Sequence, residues 1–227
     1  MTAKRRPQET KPPRGRKKAS KPYHHGDLRR AITDEALAMV AEMGPQAMTL
    51  RELSRRIGVS HAAPYRHFAD KRALMTALAV EGSLALHERI AKAIEREGDD
   101  LRAQFLGAGY AYVKFAIDEP SLFSIMFSRE ITVDDPALVD ARARPLGLLF
   151  DYIARAQAKG LVAPASIDEL AQAVWAMHHG LAHLALAGKF TDTNATVARA
   201  SIDRSHSILL DGLLAHSHGP RSAAAER

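Results

Sequence analysis

The residues best suited to contact a nucleic acid lie between Thr49 and Lys71. Their order is that of a helix-turn-helix: a short helix, a turn at Gly58 and a second short helix that can enter the major groove of DNA. Small alanines on the second helix allow a close approach to the groove floor, and an arginine can bridge guanine O6 and N7 or bind a phosphate. An ordinary helical hairpin with solvated charges is the plainer alternative.

Local signals place the first helix and the turn of this motif. Thr49 and Glu52 have the spacing of a capping box, which opens a helix. Gly58 supplies the backbone freedom that the turn needs. The apolar positions expected on the packing side of the helix pair are Leu50, Leu53, Ile57 and Val59.

Two further caps define the second helix and the one after it. Ser60 is expected to cap a short helix that ends at about His67, with Pro64 tolerated in its first turn. Asp70 is expected to cap a long helix over 71–96.

The rest of the chain also predicts helices. Leu28, Ile32, Ala36, Met39 and Met43 recur at helical spacing before a stop at residues 44–45. Later helices are expected near 99–118, 121–128, 136–159, 167–188 and 194–216. Because no window alternates polar and apolar residues for long enough to form a strand, the predicted fold class is all-α.

The composition excludes several classes of protein. The 227 residues include no cysteine, which rules out disulfides, thiolate metal sites and cysteine nucleophiles. No apolar stretch approaches the ~20 residues of a membrane-spanning helix, so a soluble, cytoplasmic protein is expected. Gly107 and Gly109 lack the strand context of a dinucleotide site, and no catalytic constellation is visible, so neither an enzyme nor a cofactor is predicted.

The positive charge is concentrated at the N-terminus. Residues 1–22 contain nine basic and one acidic residue, a net +8 in a chain whose formal charge is +6. Few apolar residues accompany them, so we expect a disordered basic arm. Residues 13–16, Pro-Arg-Gly-Arg, look like the core of an AT-hook that enters a narrow minor groove, and a simple electrostatic arm is the alternative. The arm residues predicted to contact DNA are Arg14, Arg16, Lys17 and Lys18.

A second group of residues could line a pocket between C-terminal helices. Trp175 is the chain's only tryptophan, and Gly180 follows it in a helix interior, where glycine costs ~1 kcal/mol and suggests a close neighbour. Pockets between bundle helices are mostly apolar with a few polar groups. The candidate pocket residues are Phe105, Tyr112, Phe115, Phe123, Phe127, Phe150, Trp175, His178, His179 and His183. Core packing is the alternative role for each of them.

Two of the histidines have a spacing that metal ligands can have. His179 and His183 are one helical turn apart, which is compatible with a metal. Gly180 stands where a zinc-protease helix has its glutamate, and no third ligand is evident. No metal is predicted, and effector contact and packing both remain open.

Residues 25–85 resemble the DNA-binding domain of the TetR (tetracycline repressor) family of bacterial transcriptional regulators. The resemblance is carried by Thr49 to Leu74, with Gly58-Val59-Ser60, Tyr65-Arg66-His67-Phe68 and Lys71 at the family's spacing. Residues 175–180 resemble the Trp-x-x-x-His-Gly signature of the WHG type of C-terminal domain in that family. The resemblance implies a domain that binds operator DNA as a dimer and a helical domain that binds a small effector.

The resemblance also implies roles for individual residues. The positions that bind the sugar-phosphate backbone correspond to Thr49, Ser60, Tyr65, His67 and Lys71. The positions that face base edges correspond to Arg51, His61, Ala62, Ala63 and Arg66. Ala63 and Pro64 depart from the hydroxyl residue and the Leu or Ile that are usual there, which affects the operator sequence rather than the fold.

The combined expectation is a repressor that binds a palindromic operator as a homodimer and is released by a small, mostly apolar effector. It would act in the bacterial cytoplasm, on the nucleoid when bound to DNA. The expected domains are the basic arm 1–22, a DNA-binding domain 23–85, a ligand-binding and dimerisation domain 86–218, and a disordered tail 219–227. The last two long helices are expected to form the dimer interface. The alternatives are an activator, a constitutive regulator without effector, and a basic membrane-surface protein.

Overall fold

The computed structural model describes residues 25–162, 164–189 and 195–215. Within these ranges the chain forms helices and no strand, which confirms the predicted all-α fold. The helices are α1 (His25–Ala47), α2 (Leu50–Ile57), a 3-10 helix (Pro64–Arg66), α3 (Lys71–Arg96), α4 (Leu101–Asp118), α5 (Pro120–Met126), α6 (Pro136–Ala158), α7 (Ile167–Leu186) and α8 (Ala195–Ala215). The predicted basic arm and C-terminal tail lie outside the described residues.

Side-chain caps explain where the helices begin. Oγ1 of Thr49 accepts the N–H of Glu52 at 3.2 Å, and Asp70 accepts the N–H of Ala73 at 2.7 Å. Asp100 and Asp135 cap α4 and α6 in the same way. Because caps act over three residues, the sequence was sufficient to place these starts. Only half of the expected capping box forms, since the Glu52 carboxylate binds Arg55 and Arg56 instead.

Glycines with positive φ interrupt α1 and end α2. Gly44 has φ 78° and ψ 163°, which interrupts α1 at the predicted stop. Gly58 has φ 73°, and its N–H reaches the carbonyl of Arg55 at 3.3 Å. Such values suit glycine because it has no Cβ. The turn between α2 and the next segment is thereby fixed.

The second helix of the motif is not an α-helix, which corrects the expectation for residues 60–67. Residues 64–66 form one 3-10 turn. The N–H of Ala63 bonds to the carbonyl of Ser60, and that of His67 to the carbonyl of Pro64, both at 2.9 Å and both over three residues. In an α-helix capped by Ser60, residue 64 would donate the first intrahelical bond, and proline has no N–H. Only the first three residues after the cap can lack an N–H without losing a hydrogen bond, and Pro64 is the fourth residue after Ser60.

One hydrophobic core joins the helix-turn-helix to the bundle. It includes Ile32, Leu53 and Phe68 from the N-terminal elements and Phe115 and Leu138 from α4 and α6. The central helix α4 packs against α3, α7 and α8. The predicted domain boundary at 85 falls inside α3, which runs without a break from the base of the helix-turn-helix into the bundle. None of the described helices combines the length and apolar character that crossing a membrane requires.

Candidate functional site

The ten residues predicted to contact DNA are mostly exposed. Thr49, Arg51, Ser60, His61, Ala62, Tyr65 and Arg66 are exposed, and Ala63, His67 and Lys71 are half-buried. Tyr65 is 56% exposed, while Phe68, three residues later, is 5% exposed. Residues 60–67, the recognition segment, therefore present an aromatic ring and a hydroxyl to solvent instead of packing them.

Buried neighbours hold the recognition segment in place. Pro64 and Phe68 are both buried, and the N–H of Phe68 donates to the carbonyl of Pro64 at 3.0 Å. The guanidinium of Arg29, on α1, lies 4.7 Å from the centre of the Phe68 ring. This cation–π contact ties the segment to α1. The exposed polar side chains thus belong to a backbone segment that the buried Pro64 and Phe68 hold against the rest of the domain.

A network around Arg56 fixes α2 on α1. Its guanidinium bonds to Glu42 at 2.7 Å and to Glu35 and Glu52 at 3.3 Å each. Hydrogen bonds from Arg55 and then Arg56 lower the pKa of the Glu52 carboxyl to about 2. The three carboxylates form ion pairs with Arg56, so they do not place uncompensated negative charge beside the recognition segment.

Lys71 is not a free surface cation. Its Nζ donates to the backbone carbonyl of Gln46 at 2.8 Å and forms an ion pair with Glu130, also at 2.8 Å. Glu130 belongs to the α5–α6 loop, residues 127–135. Two more hydrogen bonds hold that loop to α3, from Arg72 to the carbonyl of Ile131 and from the N–H of Thr132 to Thr76. The residue expected to bind phosphate is thus bound to a loop of the C-terminal helical bundle.

A cavity of about 360 Å³ lies among helices α3 to α7. This volume is within the range of small-molecule sites, roughly 300–1,000 Å³. Its lining comprises Ser83, Leu86, Ile90, Ile94, Phe105, Ala108, Tyr112, Met126, Phe127, Arg142, Pro145, Leu146, Leu148, Leu149, Tyr152, Trp175 and His178. Most of these side chains are apolar. Arg142 is the one cation among these described lining residues, and they include no Asp or Glu.

The structure brings half of the predicted pocket residues to this cavity. Those that line it are Phe105, Tyr112, Phe127, Trp175 and His178. Those that do not are Phe115, Phe123, Phe150, His179 and His183. Phe115 is fully buried in the core beneath Arg89, and Phe123 packs between Phe127 and His179. Aromatic residue type alone could not distinguish side chains that line the cavity from side chains in the hydrophobic core.

A polar chain runs behind the cavity wall. The hydroxyl of Tyr112 lies 3.1 Å from Nδ1 of His179, whose Nε2 lies 3.2 Å from Nε2 of His183. Burial, and then His183, lowers the pKa of His179, and burial raises that of Tyr112. The tyrosine hydroxyl can donate to Nδ1 of His179, and an Nε2–H of one of the two imidazoles can donate to Nε2 of the other. The ring of Trp175 packs against His179, with centroids 5.6 Å apart.

Two buried imidazoles meet at Gly109. His178 and His206 have ring centroids 4.6 Å apart, and the Nε2 atoms of both lack a hydrogen-bond partner in the described structure. Burial lowers the pKa of His178 to about 3 and of His206 to about 4. A Cβ at Gly109 would stand 2.6 Å from ring atoms of both. Gly109 therefore lets α4 approach α7 and α8 closely.

The side chains of His179 and His183 lie next to each other on α7. Over the part of the chain that the structure describes, no three His, Asp or Glu side chains come together to hold a metal. The metal-compatible pair His179 and His183 is instead linked by a hydrogen bond.

Gly180 has no close neighbour among the described residues. A Cβ built there would meet no described atom within 4 Å, so the expected neighbouring helix is not one of the described helices of the same chain. Ala173, Ala176 and Leu184 are exposed on the same side of α7, at helical spacing from Gly180. Ile208, on α8, is 68% exposed. The described faces of α7 and α8 thus leave apolar and small residues uncovered.

Family comparisons agree with this architecture. The model of the bacterial regulatory proteins of the tetR family matches residues 32–78, and that of the tetracyclin repressor-like C-terminal domain matches residues 105–208. The second match contains residues 175–180 and most of the cavity. The chain belongs to the TetR family of transcriptional regulators. Members of the TetR family bind DNA, and this function extends to the chain as a family property.

Individual TetR relatives match over only part of this chain. The HTH-type transcriptional repressor Rv1474c of Mycobacterium tuberculosis is 43% identical over 75 residues, 33% of this chain and 38% of the relative. The tetracycline repressor protein class A from transposon 1721 of Escherichia coli is 42% identical over 72 residues, 32% of each chain. This chain thus spans well under half the length of these two curated relatives. A solved protein of unknown function from Rhodococcus sp. RHA1 is 31% identical, with a TM-score of 0.70 over 87% of this chain and 98% of its own.

Two site residues were missed by reasoning from the TetR sequence pattern. Arg142 follows Leu138 by four residues and precedes Pro145 and Leu149 on the apolar stripe of α6, a signal that was present. Glu130 gave no local signal, because its partner Lys71 is far away in the sequence.

Proposed function

We propose that this TetR-family chain is a homodimeric repressor that is released from a palindromic operator by a small molecule in the cavity. The observation that supports it best is the course of α3. Its first residue, Lys71, lies beside the recognition segment, and Ser83, Leu86 and Ile90 line the cavity further along. A ligand that moves α3 moves the DNA-binding element with it.

The proposed DNA contacts fall into two groups. Thr49, Ser60, Tyr65, His67 and Lys71 bind phosphates, and Arg51, His61, Ala62, Ala63 and Arg66 face base edges. Phosphate contacts set position and orientation, whereas base contacts set sequence preference. The exposure of Arg51, His61 and Arg66 supports their role, since each guanidinium or ring can reach a base without unfolding its surroundings. The basic arm adds affinity through Arg14, Arg16, Lys17 and Lys18.

The proposed dimer forms through α7 and α8. The uncovered Ala173, Ala176, Gly180 and Leu184 allow a helix of a second copy to pack closely, and Ile208 adds apolar area. An isologous interface would relate two recognition segments by two-fold symmetry. The operator is then palindromic, with half-sites about one helical turn apart.

The proposed release mechanism uses the α5–α6 loop. Met126 and Phe127 line the cavity, and a few residues later Glu130 binds Lys71 and Ile131 binds Arg72. A ligand that prefers one position of this loop changes the populations of DNA-competent and DNA-incompetent states. Tight binding without that preference would release nothing.

A bacterial cytoplasmic location follows from action on operator DNA. An activator or a constitutive regulator would share the same DNA surface, but the second would have no use for a cavity of this size beside α3. A membrane-surface role would not explain why the polar side chains of the recognition segment are exposed on a helix-turn-helix.

Selection of duplexes from a random pool tests the proposal directly. The expected product is a palindrome bound by two copies of the chain, with a mass that corresponds to a dimer on DNA. Recovery of an unsymmetric site bound by one copy would contradict the dimeric operator model.

A further inference from the structure

Arg142 projects a cation into the cavity with no acidic partner. Its Nη2 donates to the backbone carbonyl of Met126 at 2.5 Å, and no described Asp or Glu forms an ion pair with it. Arg144, two residues later on the same helix, is exposed and pairs with Asp140 at 2.8 Å. The two arginines therefore differ in surroundings but not in chemistry.

The surroundings of Arg142 make its charge costly. Leu146, Leu149 and Phe127 line the same cavity, and burial lowers the pKa of the Arg142 guanidinium. A guanidinium nevertheless stays protonated and has five N–H donors. The Met126 carbonyl, a neutral acceptor, is the one described partner. A half-buried cation is stabilised more by an anion than by a neutral acceptor, because charge-assisted hydrogen bonds are roughly twice as strong as neutral ones.

We propose that the cavity takes a monoanionic amphipath, a carboxylic acid with an apolar or aromatic body, whose carboxylate binds Arg142. This names the ligand class of the effector site proposed above and rests on that proposal for its regulatory meaning. The planar guanidinium matches a carboxylate in a bidentate arrangement. A phosphate dianion would retain an uncompensated charge, because the described residues that line the cavity include no second Lys or Arg.

The position of Arg142 also connects the ligand to the loop that binds Lys71. The Met126 side chain packs on Gly82 of α3, where an added Cβ would lie 2.7 Å from its sulfur, and Arg142 holds its carbonyl. A carboxylate at Arg142 would bind the same guanidinium that holds this carbonyl, through N–H donors that the carbonyl leaves free. Ligand binding therefore acts on the residue that immediately precedes the α5–α6 loop.

Matched pairs of probes test the charge requirement. Decanoate and decan-1-ol, and 4-phenylbutyrate and 4-phenylbutan-1-ol, have the same bodies with and without a carboxylate. Emission from Trp175, the chain's one tryptophan and part of the cavity wall, reports binding. We expect each acid to bind the full-length protein about tenfold or more tightly than its alcohol, the effect of a charge-assisted hydrogen bond.

Variants locate the effect. Arg142→Gln should remove the preference for the acid, Arg142→Lys should keep part of it, and Arg144→Gln should leave it unchanged. Thermal melting of each variant shows whether it folds. If Arg142→Gln does not fold, the acid-to-alcohol ratio of the wild type and of Arg142→Lys still decides.

Three outcomes overturn the ligand class: equal affinities for acid and alcohol, equal losses in Arg142→Gln and Arg144→Gln, or no response of Trp175 to any probe. DNA release is measured in parallel on a selected duplex. Acids that bind through Arg142 without releasing DNA would support the ligand class and contradict the proposed function. Release of DNA by the alcohols as well as the acids would support the proposed function and contradict the ligand class.

Discussion

The ammonium of Lys71 and the carboxylate of Glu130 lie 2.8 Å apart, at the junction of the DNA-binding end and the bundle. Both side chains are about one quarter exposed, so the pair is partly shielded from solvent. A phosphate that is to bind Lys71 must share this cation with Glu130 or displace it. If Lys71 binds a DNA phosphate as proposed, the α5–α6 loop competes with DNA for this charge.

Glu130→Gln should strengthen DNA binding. Loss of the carboxylate frees the Lys71 ammonium for a phosphate, which adds about one unit to the slope of log affinity against log salt. Fluorescence anisotropy with specific and random duplexes over a salt series measures both quantities.

Glu95→Gln provides the control for this change. It alters the net charge equally, and Glu95 is exposed near the far end of α3. Equal salt slopes for the two variants would show that total charge, and not the pair with Lys71, determines the result.

Replacement of base-facing residues should differ from replacement of a phosphate ligand. Arg51→Ala or His61→Ala should lower the ratio of specific to random binding, with a loss of ~1–3 kcal/mol on the specific site. Tyr65→Phe removes only a hydroxyl and should weaken binding to both duplexes alike. Competition assays with a selected operator and a scrambled duplex compare them. A changed sequence preference in Tyr65→Phe would show that this residue faces a base.

Deletion of the basic arm, residues 1–22, should weaken DNA binding without unfolding the protein. The deletion removes a net charge of +8 and flattens the salt dependence of affinity. Arg14→Ala together with Arg16→Ala distinguishes the two forms of arm. A loss confined to A·T-rich flanks indicates minor-groove insertion, and an equal loss on G·C-rich flanks indicates a nonspecific electrostatic arm.

Acid should destabilise the fold through the buried imidazoles. The pKa values of His178 and His206, about 3 and about 4, lie below the ordinary value of 6.5, so the unfolded chain binds protons that the folded chain does not. The free energy of unfolding should therefore fall as pH drops from about 6.5 toward 4, by up to roughly 1.4 kcal/mol per pH unit for each ring. Urea denaturation at several pH values measures this slope. His206→Leu should reduce it, and an unchanged slope would assign acid sensitivity to other groups.

Local interactions explain why most elements could be predicted. Thr49, Asp70, Asp100 and Asp135 each cap a helix through a residue two or three positions away, so the information lies within one turn of sequence. The helix predicted for the recognition segment was wrong, and the reason is also local. Its geometry depends on whether Pro64 stands at the third or the fourth position after Ser60, and one position changes the hydrogen-bond pattern.

The site depends more on distant contacts. Arg142 and Arg144 are two residues apart on one helix, but only packing against α5 decides which of them enters the cavity. Lys71 and Glu130 likewise meet because the α5–α6 loop folds back on α3. Residue type identified the aromatic wall at Phe105 and could not distinguish it from the core at Phe115.

The tight fit at Gly109 also restricts the order in which mutations can accumulate. A methyl group at this position would stand 2.6 Å from the rings of both His178 and His206. An alanine there is accommodated without displacing either ring only after both histidines have been replaced by smaller side chains, and a ring restored afterwards would meet the methyl group. Lineages that descend from this chain can therefore change Gly109 without a steric clash only after both histidines have changed.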